Sequence, residues 1–152
     1  MIDRGARDQV ALALRQFASG RLTQNELYAR TRHVKKSQDR GVATLAEAIY
    51  WQFLNLGPNR LIGRHALALE ARRHIARWVL YLRSNEPYVW PERGPSLGDI
   101  GRALLTLGRS WITKSVQWSQ TGDESSWPFV SRQQLARVAA EPPFVRHFDP
   151  SA

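Results

Sequence analysis

One helix ends and another begins within the stretch Phe17-Ala18-Ser19-Gly20-Arg21-Leu22-Thr23-Gln24-Asn25-Glu26-Leu27. Ser19-Gly20 closes the first helix, since glycine commonly follows a helix C-terminus. Thr23 and Glu26 form a capping box, in which the hydroxyl accepts from the amide of Glu26 and the carboxylate accepts from the amide of Thr23. Leu22 and Leu27 supply the hydrophobic staple beside it. The stretch therefore predicts two helices joined by a short turn.

Upstream of this turn, apolar residues recur at helical spacing. They are Ala6, Val10, Ala13, Leu14 and Phe17. The charged residues around the other side are Arg4, Arg7, Asp8 and Arg15. We therefore expect an amphipathic first helix with one buried face and one solvated face.

A third helix is predicted to open at Thr44 with Glu47 and to end at Gly57-Pro58. Its main apolar stripe consists of Ile49, Phe53 and Leu56. The helix is also apolar at Tyr50 and Trp51, away from that stripe. This broad apolar character predicts a central position in the fold.

The second half of the chain carries three further helix patterns. The strongest runs from about Ala66 to Arg83. Another is predicted from Ser96 to about Gln120, although three glycines weaken it. The last opens where Ser131 and Gln134 form a second capping box, and it stops before Pro142-Pro143.

Two Trp-Pro steps, Trp90-Pro91 and Trp127-Pro128, interrupt the helical patterns. A residue before proline favours extended backbone, so both tryptophans are expected on extended chain, either paired or as aromatic plugs of a bundle. We find no composition break that marks a second domain. The sequence therefore predicts an all-α, single-domain bundle of five or six helices over residues 1–152, with two short extended Trp-Pro segments.

Composition excludes several classes of protein. The chain of 152 residues has no cysteine, which removes disulfide frameworks, thiolate metal sites and cysteine nucleophiles. No stretch approaches the roughly 18 uncharged apolar residues that a membrane helix needs. Charged residues interrupt the first apolar run, so we expect no signal peptide and a cytoplasmic protein.

Three segments carry a resemblance: residues 17–26, residues 72–90, and Gly122-Asp123 followed by Trp127-Pro128-Phe129. Together they resemble a group of small uncharacterised bacterial helical proteins, in the same order along most of the chain. The resemblance implies a bacterial helical domain. It implies no activity, cofactor or functional residue.

Basic residues outnumber acidic ones by 22 to 13, and the excess lies mainly in the first half of the chain. Arg32, Lys36 and Arg40 are spaced four apart, so they form one stripe if the second helix continues that far. The candidates for binding phosphate or an acidic partner are Arg32, Lys35, Lys36, Arg40, Arg72, Arg73 and Arg77. A solvated face, nucleic acid and an acidic protein partner are the three interpretations of this charge.

Four of the six tryptophans lie close together in the sequence. They are Trp90, Trp111, Trp118 and Trp127. Rings at this density form a core, a protein interface or a small-ligand pocket. We expect the core and keep the four as aromatic interface candidates.

No pattern of catalytic or metal-binding residues occurs. Glu70 and His74 share a helix face at i, i+4, but beside Arg73 and Arg77 they are expected to lie on the surface. We therefore expect no enzyme, no metal and no cofactor. The predicted function is a non-catalytic protein-interaction module, and the alternative is a nucleic-acid-binding protein that uses the basic face of the first half.

Overall fold

The computed structural model of the protein describes residues 1–53, 60–63, 66–91 and 121–140. The chain divides into two units, one of Met1–Tyr88 with Val138–Ala152 and one of Val89–Arg137. Every regular element in the described residues is helical, which confirms the predicted all-α class. The single domain over residues 1–152 stays a prediction.

The described residues contain five α-helices. Their bounds are Arg4–Ala18 (α1), Gln24–Thr31 (α2), Arg40–Phe53 (α3), Leu69–Arg83 (α4) and Arg132–Ala140 (α5). Short 3₁₀ helices cover Arg32–Lys36 and Glu124–Ser126. The helix predicted from Ser96 to about Gln120 lies outside the described residues. None of the described helices has the length and apolar character that a membrane span requires.

The turn between α1 and α2 is built as predicted. The amide of Thr23 donates to Glu26 Oε2 at 2.7 Å, and the amide of Glu26 donates to Thr23 Oγ1 at 3.3 Å. Leu22 and Leu27 are buried beside this capping box. Gly20 has φ 72°, a left-handed conformation that favours glycine, and it lies against Leu61 and Ile62. Local chemistry therefore determines where α1 ends and α2 begins.

The second predicted capping box also begins a helix. The amide of Gln134 donates to Ser131 Oγ at 3.1 Å, and α5 begins at Arg132. Gln134 Oε1 accepts from the amide of Val130 at 2.8 Å, one residue before the position predicted. The Gln134 side chain thus accepts a hydrogen bond from a backbone amide just before the N-terminus of α5.

Helix α3 begins four residues earlier than predicted, at Arg40 instead of Thr44. The reason is Asp39, whose Oδ1 accepts from the amide of Gly41 at 2.9 Å, while its carbonyl accepts from Ala43. Helix α4 begins at Leu69 instead of about Ala66, and it ends at Arg83 as predicted. The predicted end of α3 at Gly57-Pro58 lies outside the described residues.

The core of the first unit is formed by the apolar stripes of α1, α3 and α4. Buried residues of these stripes include Val10, Leu14, Phe17, Ile49, Phe53, Ile75, Trp78 and Leu82. The rings of Phe17 and Phe53 are 5.0 Å apart, and Trp78 meets Phe53 edge-on at 6.2 Å. Trp51, however, is 64% exposed, so the apolar residues of α3 outside its stripe do not form a second buried face. Its stripe is buried, and the face with Trp51 lies in solvent.

In the second unit, the two Trp-Pro segments meet. The Trp90 indole Nε1 donates to the carbonyl of Pro128 at 3.0 Å. Trp90 lies in a segment without regular structure, and Trp127 has the extended backbone angles φ −49° and ψ 136°. Both rings are buried, as is Phe129. A core residue has to be buried, and Trp90 and Trp127 both are. Neither ring has much exposed surface for an interface with another protein.

Candidate functional site: a groove rimmed by arginines

The predicted stripe of Arg32, Lys36 and Arg40 does not lie on one helix. Helix α2 ends at Thr31, and Arg32 and Lys36 lie in the 3₁₀ helix that follows. Ser37 is extended, with φ −62° and ψ 144°, and Arg40 is the first residue of the next helix. The condition for a single stripe, a second helix that continues to Arg40, is therefore not met, because the backbone leaves the helical conformation at Ser37 and a new helix begins at Arg40.

Arg72 and Arg73, which are neighbours in α4, have different surroundings. Arg73 Nη1 binds Glu70 Oε1 at 2.7 Å, and both side chains are more than 60% exposed. Glu70 thus pairs with Arg73 on the surface and forms no pocket with His74.

Among the described residues, no group of three His, Asp or Glu side chains is arranged to hold a metal ion. Trp111 and Trp118 lie outside the described residues.

Arg72 lines a groove between α1 and α4. The two helices run antiparallel, since Arg4 at the start of α1 donates to the carbonyl of Ser84 just after α4, while Arg72 near the start of α4 lies by the end of α1. The groove encloses about 860 Å³. Its lining residues are Leu12, Arg15, Gln16, Ala18, Ser19, Arg21, Arg72, Ile75, Ala76, Val79, Leu80 and Ala139.

The floor of this groove is apolar and partly open to water. Ile75 forms its buried base, and Leu12 is 49% exposed although it is a large apolar side chain. Val79 and Leu80 are half-buried. An exposed apolar surface of this kind gains free energy when another molecule covers it.

Three arginines surround the floor. Arg15 and Arg21 come from the end of α1 and the turn after it, and Arg72 comes from α4. All three are exposed, and within the described part of the chain none of their guanidinium groups has an ion-pair or hydrogen-bond partner. We call the apolar floor with these three side chains the arginine-rimmed groove.

Sequence reasoning identified Arg72 but missed Arg15 and Arg21 as site residues. The signal that was available is Leu12, an apolar residue on the polar side of α1. Val79 of α4 also lines the groove, and it is half-buried. Only the packing of α1 on α4 brings these residues together.

A buried ionic cluster holds the two helices that form the groove. Arg7 was expected on the solvated side of α1, and that prediction was wrong because its side chain is completely buried. Its Nε donates to Asp39 Oδ2 at 2.6 Å, and its Nη1 donates to the carbonyls of Ser84 and Glu86, each at 3.0 Å. The guanidinium also lies 4.9 Å from the centroid of the Tyr81 ring. We call Arg7, Asp39 and Tyr81 the Arg7 cluster.

Burial and hydrogen bonding act in opposite directions on the acids of this cluster. Burial opposes the charge of Asp39, but the Arg7 hydrogen bond and charge, with the amides of Asp3 and Gly41, hold the pKa of Asp39 below its ordinary value. Burial raises the pKa of Tyr81 well above its ordinary value, so its hydroxyl stays protonated. The cluster is thus an ion pair that fixes α1 against the end of α4 and so sets the geometry of the groove.

Comparison of the chain with protein-family models, curated proteins and solved structures finds no match. The resemblance to small bacterial helical proteins therefore stays a prediction, and the groove has to be interpreted from its own chemistry.

Proposed function

We propose that the protein is a non-catalytic protein-interaction module, and that its arginine-rimmed groove binds an acidic amphipathic helix of a partner protein. The observation that supports this proposal is the combination of an open apolar floor with three exposed arginines that lack partners in the described residues. A cytoplasmic, bacterial setting belongs to the same proposal, and the sequence resemblance supports the bacterial origin.

The shape of the groove favours a helix. Two packed helices leave a furrow between their ridges, and a third helix can place its own row of side chains there. A partner helix with apolar residues at i, i+3 or i+4, and i+7 would present them on one side. Leu12, Val79 and Leu80 are the partly exposed apolar residues that this side would cover.

The charge of the rim favours acidic residues beside that apolar side. Arginine pairs with carboxylates through two parallel hydrogen bonds, which adds direction to the attraction. No acid of the described residues pairs with Arg15, Arg21 or Arg72, so within that part of the chain a partner can bind them without breaking an ion pair. Opposite charges at the rim also speed association and reject basic partners.

The proposal can be tested with a designed peptide probe. The probe is a fluorescein-labelled helix of about 16 residues with leucines at i, i+3, i+7 and i+10 and glutamates beside them. Fluorescence anisotropy at roughly 0.15 M salt compares it with a scrambled peptide of identical composition. We expect the helical peptide to bind more tightly, and the variants Arg15→Glu/Arg72→Glu and Leu12→Asp each to lose about tenfold or more in affinity.

The matched control is Arg32→Glu/Lys36→Glu, which reverses the same number of charges away from the groove. This variant should bind the helical peptide as tightly as the wild type does. The proposal is wrong if the helical peptide does not bind, if the scrambled peptide binds equally well, or if both double variants lose the same affinity. Equal losses would indicate that net charge alone attracts the peptide.

A further inference from the structure

A second surface of the first unit combines exposed aromatic rings with cations. It consists of Tyr28 from α2, Arg32, Lys35 and Lys36 from the 3₁₀ helix, and Tyr50 and Trp51 from α3, and we call it the aromatic-basic patch. We propose that this patch binds single-stranded nucleic acid by stacking a base on the exposed ring of Trp51, with the basic side chains at the phosphates. The proposal does not depend on the groove, since the groove shares no residue with the patch.

The rings of the patch form a continuous row. The centroids of Tyr28 and Tyr50 are 5.0 Å apart, and those of Tyr50 and Trp51 are 5.2 Å apart. Trp51 is 64% exposed and Tyr28 is 38% exposed, whereas the buried stripe of α3 is formed by other residues. Trp51 therefore offers a large exposed ring beside Tyr50.

A lysine of the patch lies over two of its rings. The ammonium nitrogen of Lys35 lies 4.6 Å from the Tyr50 centroid and 5.5 Å from the Tyr28 centroid. This cation-π arrangement holds the lysine in place over the rings. Arg32 follows Tyr28 by one helical turn, with its amide donating to the Tyr28 carbonyl, and Lys36 is exposed after it. None of Arg32, Lys35 and Lys36 is bound to an acid among the described residues.

This pairing of rings and cations fits a single strand better than a duplex. Bases of a single strand expose their faces and stack on aromatic side chains, while nearby cations neutralise the phosphates. A duplex offers phosphates, but its bases are stacked on one another inside the double helix. It would therefore contact the basic side chains, and no base would stack on Trp51.

The test measures binding of a fluorescein-labelled oligo(dT) of about 15 nucleotides and of a duplex of the same length across a salt series. We expect the single strand to bind more tightly and to quench tryptophan fluorescence. Trp51→Ala should lose about tenfold in affinity for the single strand and abolish that quenching. Trp51→Phe keeps a ring and should retain most of the affinity. Because Trp51 is exposed, circular dichroism should show both variants folded.

Charge variants separate stacking from general attraction. Arg32→Glu/Lys36→Glu should weaken the single-strand complex and lower the slope of log affinity against log salt by about 1.4, since two phosphate contacts are lost. Arg15→Glu/Arg72→Glu changes the net charge equally, away from the patch, and should leave most of the affinity and the slope intact. This variant also separates the two proposals, because only the groove proposal requires it to lose peptide binding.

Two results would overturn the inference. The first is unchanged affinity for oligo(dT) in Trp51→Ala, and the second is an equal loss in both charge variants. If the Trp51→Ala variant with unchanged oligo(dT) affinity also no longer binds the helical peptide, the patch is a protein interface.

Discussion

Arg7 and Asp39 form an ion pair of 2.6 Å between Nε and Oδ2 although both side chains are almost completely buried. The two residues are 32 positions apart in the sequence, so their contact ties α1 to the start of α3. The cost of removing two charges from water is offset by further hydrogen bonds, because Arg7 binds two carbonyls and Asp39 accepts from the amides of Asp3 and Gly41.

Removing one partner of this pair should be far more damaging than removing an exposed pair. Arg7→Met leaves the Asp39 carboxylate buried without a counterion, so we expect the free energy of unfolding to fall by about 3–5 kcal/mol. Arg73→Met removes a pair whose side chains are mostly exposed and should cost at most about 0.5 kcal/mol. Urea denaturation followed by circular dichroism measures both changes. Equal losses in the two variants would show that the Arg7 cluster contributes no more than a surface pair.

The two changes in the pair should not add. Arg7→Met/Asp39→Asn contains no uncompensated charge at this site, so its loss of stability is expected to be smaller than the sum of the two single losses. The same urea titrations give the coupling energy. Strict additivity would contradict a direct interaction between Arg7 and Asp39.

Acidification should remove the contribution of Asp39. Its pKa is lower in the folded protein than in the unfolded chain, so the unfolded chain binds the proton first as the pH falls. The stability that Asp39 contributes is fully present above the ordinary carboxyl pKa of about 4 and is lost as the pH falls through the lower folded value. The difference in unfolding free energy between wild type and Asp39→Asn should therefore be constant from roughly pH 7 to 5 and shrink below about pH 4.

The control for this pH dependence is the Arg7→Met background. There Asp39 keeps its burial but loses the cation that favours its charged form, so Asp39→Asn should no longer cost stability at neutral pH. A difference that stays constant down to about pH 2 in the wild-type background would contradict a lowered pKa of Asp39.

Two glycines of the first unit should respond in opposite directions to the same substitution. Gly20 has φ 72°, and an added Cβ would lie 2.5 Å from Ile62 Cγ2, so Gly20→Ala should destabilise the protein by about 1–2 kcal/mol. Gly5 lies in α1, where an added Cβ meets nothing closer than 3.7 Å, so Gly5→Ala should be neutral or stabilise by up to about 1 kcal/mol. Thermal unfolding midpoints compare the two. A stabilising Gly20→Ala would show that the turn does not require a left-handed residue.

Features of the fold that depend on neighbouring residues could be predicted from the sequence. The capping boxes at Thr23 and Ser131 involve groups within one helical turn, and their spacing alone indicates the helix starts. The end of α4 at Arg83 followed from periodicity in the same way. The role of Asp39 as the cap of α3 was not predicted. The same carboxylate also binds Arg7, which is distant in the sequence.

The site was less predictable than the fold because it depends on which helices pack together. Arg72 was a candidate from charge alone, but its grouping with Arg15 and Arg21 requires the antiparallel contact of α1 and α4. The charge of Arg7 assigned it to the solvated face, because charged residues are rarely buried unless paired. Its spacing from Val10 and Leu14 places it on the buried stripe of α1, but its pairing partners are distant in the sequence.

The hydrogen bonds of Arg7 also bear on how the protein folds during translation. A ribosome completes α1 long before it adds Ser84 and Glu86, whose carbonyls accept from the Arg7 guanidinium. Until those residues have emerged, Asp39 can accept from Nε and Nη2, but burying Arg7 would leave its Nη1 donors without acceptors, which is costly inside a protein. The N-terminal helix of the nascent chain is thus expected to stay undocked until residues near position 86 leave the exit tunnel, so that this unit folds in one late step.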